Sequence, residues 1–217
     1  MKRLFAFFVI AFLAASCSKD VVRGSGDIIT VERNTDNFSG LNTSGSAKIY
    51  INYAPEIFVK VKGYSNLVSE YITEVKNSTL YLHYRNNLNV KNDNIEVYIT
   101  MPGFNALNMS GSSSIKATGN FEDTDNLSIS TSGSAGISID KMNSNSYTIQ
   151  SSGNSNIATL GVKTKTAKVE ISGNGETSLS VMDKLEVYIS GNGKVSYRGD
   201  PTEVVTNISG NGKLVKL

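Results

Sequence analysis

Apolar and polar residues alternate with a period of two along most of the chain, in blocks that return every twenty residues or so. Leu127-x-Ile129, Tyr147-x-Ile149, Ala167-x-Val169-x-Ile171 and Leu185-x-Val187-x-Ile189 carry Ser, Thr, Lys, Glu or Gln between their apolar positions. Each block runs into a Ser-Gly pair and a small residue: Ser110-Gly111-Ser112, Ser132-Gly133-Ser134, Ser152-Gly153-Asn154, Ser172-Gly173-Asn174, Ser190-Gly191-Asn192 and Ser209-Gly210-Asn211, with an earlier copy at Ser44-Gly45-Ser46. From Gly111 onward these glycines advance by 22, 20, 20, 18 and 19 residues. A second block follows each marker at a fixed offset, at Ile49, Ile115, Ile137, Ile157, Thr177, Val195 and Leu214. Alternation of this kind predicts short half-buried strands.

Two strands per repeat, joined at a glycine corner, describe one coil of a solenoid. Each coil would lie about 4.8 Å above the last and bury its inward side chains on its neighbours. Parallel crossovers are right-handed by a strong rule. The expected fold is therefore all-β, a right-handed single-stranded parallel β-helix with coils of about 20 residues. Stacking the corners in register places Asn154, Asn174, Asn192 and Asn211 in one column, continued by Ser46, Ser112 and Ser134. Such a column predicts an amide ladder in the interior of the stack. Another column sets Lys168 against Glu186 on the outer face.

The stretch from Ala47 to Pro102 lacks the marker, although 66 residues separate Gly45 from Gly111, about three coil lengths. Strands are expected at Lys48–Asn52, Ile57–Lys62, Leu80–Arg85 and Ile95–Met101, with a short amphipathic helix over Asn66–Ile72. Early coils with long excursions that shield the N-terminal end, or a separate small β domain, would both produce this pattern. Ile28–Val31 is a candidate capping strand. The expected division is a signal peptide at 1–16, a tether at 17–26 and one β-helix domain at 27–217, irregular over 27–105 and regular over 106–217.

The N-terminus changes the reading of charge. Lys2 and Arg3, then the apolar run Leu4–Leu13, then Ala14-Ala15-Ser16 form a secretory signal. The apolar run is too short to span a bilayer. Cys17, the sole cysteine, follows at once, and Leu13–Cys17 resembles a bacterial lipobox, in which the cysteine is acylated. Removing the signal takes two of the 21 basic residues and none of the 19 acidic ones, leaving 19 against 19. A balanced chain gives no support for a nucleic-acid partner. One Cys and one His exclude a disulfide framework and multi-His metal centres. Ser, Thr, Asn and Gly make up about two fifths of the residues, which disfavours helical bundles and α/β enzymes.

The lipobox, the Gly24–Asp27 segment, the run Phe38-Ser39-Gly40-Leu41 and the serial Ser-Gly-Asn-Gly corners together resemble the putative auto-transporter adhesin, head GIN domain family. The resemblance runs from about residue 27 to 217. It implies a β-helical, secreted or lipid-anchored protein and carries over no catalytic residues.

Candidate chemistry is sparse. The Gly-x-Gly corners at Gly173, Gly191 and Gly210 are followed by strands, not by the helix a phosphate loop requires. Calcium-binding β-rolls need an Asp in every repeat, where this chain has Ser, Asn, Glu or Lys. Glu170 and Glu186 are the nearest acidic pair, as a polysaccharide lyase or glycosidase would need. Lys168 beside them points instead to a solvated ladder. His83 falls outward without a nucleophile partner. Tyr50, Tyr81, Tyr98 and Tyr188 fall at outward positions and are the candidate ligand-binding residues. The expected function is an adhesin-like or structural binding module anchored in the outer membrane through Cys17, facing either the periplasm or the cell surface, without cofactor or catalysis. Its expected partner is a glycan or a host or envelope protein. The alternative is a polysaccharide-active β-helix enzyme.

Overall fold

At each Ser-Gly marker the chain turns on a glycine whose φ lies between +89° and +126°, a region nearly closed to residues with a Cβ. In the corners from Ser112 to Asn192 the residue after that glycine donates its N–H to the glycine carbonyl one coil below: Ser112 to Gly45 at 2.7 Å, Asn154 to Gly133 at 2.8 Å, Asn192 to Gly173 at 3.0 Å. A Cβ on Gly153 or Gly173 would come within 2.5 Å of that same carbonyl. Conformation and stacking each demand glycine, so the repeat is marked by it.

The structure is a computed structural model that describes residues 20–86 and 88–217. The signal peptide, Cys17 and residues 18–19 lie outside the described residues. The first part of the chain forms β1 (Asp20–Arg23), β2 (Ile28–Arg33), β3 (Gly40–Gly45), β4 (Lys48–Tyr53), β5 (Phe58–Tyr64), the helix α1 (Ser65–Val68), β6 (Tyr71–Lys76), β7 (Thr79–Tyr84), β8 (Leu88–Lys91) and β9 (Glu96–Met101). The regular part forms β10 (Ala106–Gly111), β11 (Ser114–Asn120), β12 (Thr124–Gly133), β13 (Gly136–Gly153), β14 (Asn156–Gly173), β15 (Glu176–Gly191), β16 (Lys194–Arg198), β17 (Glu203–Gly210) and β18 (Lys213–Lys216).

The fold is an all-β parallel β-helix with coils about 20 residues apart. Two walls meet at the glycine corners. The first wall stacks β7, β3, β10, β12, the second halves of β13, β14 and β15, and β17. The second stacks β9, β4, β11, the first halves of β13, β14 and β15, then β16 and β18. Ile49, Ile115, Ile137, Ile157 and Val195 project inward from the second wall and are at most 3% exposed. Leu107, Ile129, Ile149, Val169 and Val187 face them from the first wall, each fully buried. Burying one such side chain contributes about 1.5–3 kcal/mol, and neighbouring coils supply the burial.

Stack order is not chain order. The coil of β3 and β4 lies between a later segment on one side and another on the other. Leu41 pairs with Leu80 below and Leu107 above, and Ile49 with Val97 below and Ile115 above. Residues 58–101 are therefore hydrogen-bonded into both walls and form no separate sheet domain. Antiparallel pairing of β5 and β2 beyond β9, and of β6 beyond β7, covers that end. Arg33 Nη2 donates to the carbonyls of Val68 at 2.7 Å and Tyr71 at 3.3 Å, tying the edge strand to α1.

Three expectations need correction here. The helix is a single turn, Ser65–Val68, because Tyr71 and Ile72 are taken into β6 opposite Tyr84 and His83. Residues 20–26 are not a free tether: β1 pairs in parallel with β8, and Gly24 donates its N–H to Lys91 O at 2.8 Å. The asparagine column lies outside the stack, as its geometry below shows.

Candidate functional site

The inner side of each corner has room only for small residues. Ala47, Ser113, Ala135 and Ser155 occupy it, at 5% exposure or less, followed by the buried Gly175 and Gly193. A Cβ on Gly193 would meet Ile171 Cγ2 at 2.7 Å. The asparagines one position earlier are consequently turned out to solvent. They are nonetheless bonded in series: Nδ2 of Asn174 donates to Oδ1 of Asn154 at 3.1 Å, Asn192 to Asn174 at 2.9 Å and Asn211 to Asn192 at 3.2 Å.

The outward positions of the first wall form long columns. One runs Tyr81, Asn42, Asn108, Ser130, Gln150, Glu170, Tyr188, Asn207 in strict register from coil to coil. Two of the four candidate tyrosines thus share one column, six strand spacings or roughly 29 Å apart. Beside it, Ser132, Ser152, Ser172, Ser190 and Ser209 form a parallel column of hydroxyls. The step from short serines to long neighbours opens a groove of about 610 Å³ along the solenoid axis, walled by Gln150, Glu170, Tyr188 and Asn207.

Charges on this wall are paired both along the strands and across them. Lys168 and Glu186 stand opposite each other in register, but Lys168 Nζ bonds Glu170 Oε1 at 2.6 Å, two residues away on the same face. Glu186 is held by Lys184 at 3.0 Å, which also reaches Glu203 at 2.9 Å. Gln150 Nε2 donates to Glu170 Oε2 at 2.8 Å. The Lys168 hydrogen bond, then that of Gln150, holds Glu170 below the ordinary carboxylate range. Lys184 does the same for Glu186. Both carboxylates are stabilised in the ionised form, the opposite of what a general acid requires.

Tyr50 and Tyr98 lie elsewhere, on adjacent coils of the second wall, stacked at 5.1 Å between ring centroids with a 19° interplanar angle. Tyr98 donates its hydroxyl to Glu96 Oε2 at 2.8 Å, and Lys62 Nζ pairs with the same oxygen at 3.1 Å. The four tyrosines are half-buried and divide between two walls. His83 sits 3.7 Å from Glu74 Oε1, with its Nδ1 2.8 Å from Tyr84 O.

One feature escaped the sequence reading. Asp123-Thr124-Asp125, Asn143-Ser144-Asn145 and Lys163-Thr164-Lys165 repeat at a spacing of 20 residues. All but the buried Thr164 line a second groove of about 530 Å³. Asn143 donates to Asp123 at 2.8 Å and Asn145 to Asp125 at 2.7 Å, while Ser144 Oγ donates inward to Thr164 Oγ1 at 3.0 Å. The outward residue passes from carboxylate to amide to ammonium over three coils. The shared X-Ser/Thr-X form at coil spacing was the available signal.

The model of the family described as putative auto-transporter adhesin, head GIN domain, matches residues 37–201. Among solved structures, a putative adhesin from Bacteroides fragilis is similar over 90% of this chain and all of its own, with a TM-score of 0.67 and 20% identity. A putative adhesin from Parabacteroides merdae matches over 91% of this chain and 99% of its own, with a TM-score of 0.55 and 16% identity. A protein from Parabacteroides distasonis described as a putative lipid binding protein matches over 91% of this chain and all of its own, with a TM-score of 0.56 and 20% identity. At these identities the likeness is one of fold. No curated protein matches the chain.

Proposed function

Because the chain belongs to the putative auto-transporter adhesin, head GIN domain family, we propose that it is a non-catalytic, adhesin-like binding module of the bacterial cell envelope. In this reading Cys17 carries the lipid that anchors it in the outer membrane, and residues 27–217 present the β-helix outside. The observation that carries the reading is the first wall: one outward column of amide, hydroxyl and phenol groups, with the lysine-paired Glu170 among them, runs the length of the stack beside an open groove. Its carboxylates are held ionised by lysines, so the face offers contacts rather than proton transfer. The same pairing weighs against the lyase-like or glycosidase-like alternative.

The test displays the full-length chain on a bacterial surface and measures adhesion to arrays of glycans and matrix proteins. With 19 acidic and 19 basic side chains after the signal, adhesion should depend weakly on salt. Replacing Tyr81 and Tyr188, the two tyrosines of that column, with Ala should weaken it about tenfold or more, as loss of aromatic anchors does. A double variant that folds and adheres fully overturns the reading.

A further inference from the structure

We infer that the groove of the first wall holds a neutral, β-linked glycan chain lying parallel to the solenoid axis, one sugar ring per coil. This rests on the reading of the protein as a binding module and names its ligand class. Three observations carry it.

The first is period. The serine floor offers one hydroxyl per coil in unbroken register, at a spacing of about 4.8 Å. A β-linked pyranose chain advances by nearly that distance per ring and presents hydroxyls at each step. An extended peptide does not match, because its same-face side chains recur at about 6.6 Å. Nor can a peptide add as a strand here, since the backbone beneath the groove is already paired in ladders on both sides.

The second is charge. Glu170 is occupied by Lys168 and Gln150, so the wall presents little unpaired charge to draw an ionic polymer. The groups that remain, serine hydroxyls with Asn207 and Tyr188, suit neutral hydroxyls.

The third is a fixed aromatic. Lys168 Nζ lies 5.5 Å from the Tyr188 ring centroid, and the Tyr188 hydroxyl donates to Glu186 Oε2 at 3.4 Å. Its ring lines the groove from a restrained position, with little torsional freedom left to lose when the apolar face of a sugar packs against it. From Ser132 to Ser209 the groove covers four coil steps, roughly 19 Å, and its volume of about 610 Å³ suits several rings.

The test uses the full-length protein in detergent, titrated calorimetrically with β-1,4-linked oligomers of glucose, mannose and N-acetylglucosamine, two to eight units long. At least one series should bind with affinity that rises up to about five units and then levels. Ser172→Arg, which fills the middle of the floor, should weaken binding at least tenfold without lowering the melting temperature, and the matching Ser138→Arg on the other wall should leave it unchanged. Binding independent of length, full binding by a folded Ser172→Arg variant, or no binding by any series overturns the inference. Adhesion by displayed cells is scored in parallel. Adhesion lost in Ser172→Arg without any oligomer binding leaves the binding-module reading standing and removes the glycan. Oligomer binding without adhesion removes the adhesin-like role and keeps the ligand.

Discussion

The hydroxyl of Tyr147 donates to Oγ1 of Thr159 at 3.0 Å across the interior of one coil, from the first wall to the second. Thr159 passes the interaction upward by donating to Ser178 O at 2.9 Å. Both residues are fully buried, and burial pushes the Tyr147 phenol well above its ordinary pKa. The two changes should differ in cost. Tyr147→Phe leaves Thr159 with its bond to Ser178 and should cost about 1 kcal/mol. Thr159→Val strands both the phenol and the carbonyl and should cost about 2–3 kcal/mol. Urea unfolding of the two variants checks the order.

Thr177 gives a change of opposite sign. It stands in the inward column between Ile157 and Val195, 3% exposed, and its Oγ1 has no hydrogen-bond partner. Thr177→Val keeps the shape and removes a desolvated hydroxyl. The expected gain is about 1 kcal/mol, read as a rise of roughly 2–4 °C in melting temperature. A fall in melting temperature would refute it.

The corner glycines separate two physical effects. Gly173 has φ +126° and faces the Gly153 carbonyl, 2.5 Å from where a Cβ would sit, whereas Gly45 has φ +99° and nothing within 4 Å. Gly45→Ala should lose about 1–2 kcal/mol from backbone strain alone. Gly173→Ala adds displacement of the stacked corner and should lose distinctly more. Equal losses would show that stacking contributes nothing.

Stability should fall on acidification. Glu96 is held below the ordinary carboxylate value first by the Tyr98 hydroxyl and then by Lys62, Glu170 first by Lys168 and Glu186 first by Lys184. A carboxyl whose pKa is depressed by folding stabilises above its unfolded value, and that contribution is lost as pH falls through the folded value. Melting temperature should therefore decline from about pH 4.5 downward, near the ordinary Glu value. The groups are largely solvated, so the decline is modest. Glu170→Gln should flatten part of it.

Lipidation is directly testable. Wild-type cells grown with labelled palmitate should label the protein and fractionate it with membranes, and Cys17→Ser should abolish both. Equal label in the two proteins would refute the anchor.

The regular coils were legible because every level of the sequence agreed: glycine at the corner, alternation on both flanks, constant spacing. Ile137, Ile157 and Val195 fall inside as the alternation requires. For the asparagine column the spacing fixes register but not direction. Direction depends on how little room lies inside the corner, which only Ala, Ser or Gly at the following position signals. Register alone sets Lys168 against Glu186, whereas the long side chain bonds Glu170 two residues along its own strand. The order of the base could not be read at all. The strands β5 to β9 carry no marker, and nothing in Leu80 or Val97 says which side of Leu41 or Ile49 it will take.

The placement of β3 and β4 between segments from either side of them in the stack has a kinetic consequence. In the regular part, paired residues are about 20 positions apart, so each coil closes a short loop on a surface already formed. At the base, Leu41 waits for Leu80 and Leu107, and Ile49 for Val97 and Ile115, across 39 to 66 positions. Such closures are slow relative to the local ones. A chain emerging N-terminus first therefore has no paired base until about residue 101 has appeared, and the coils above then add one at a time. Unfolding should run the other way, with amides of β17 and β18 exchanging first and those of β3 and β4 last.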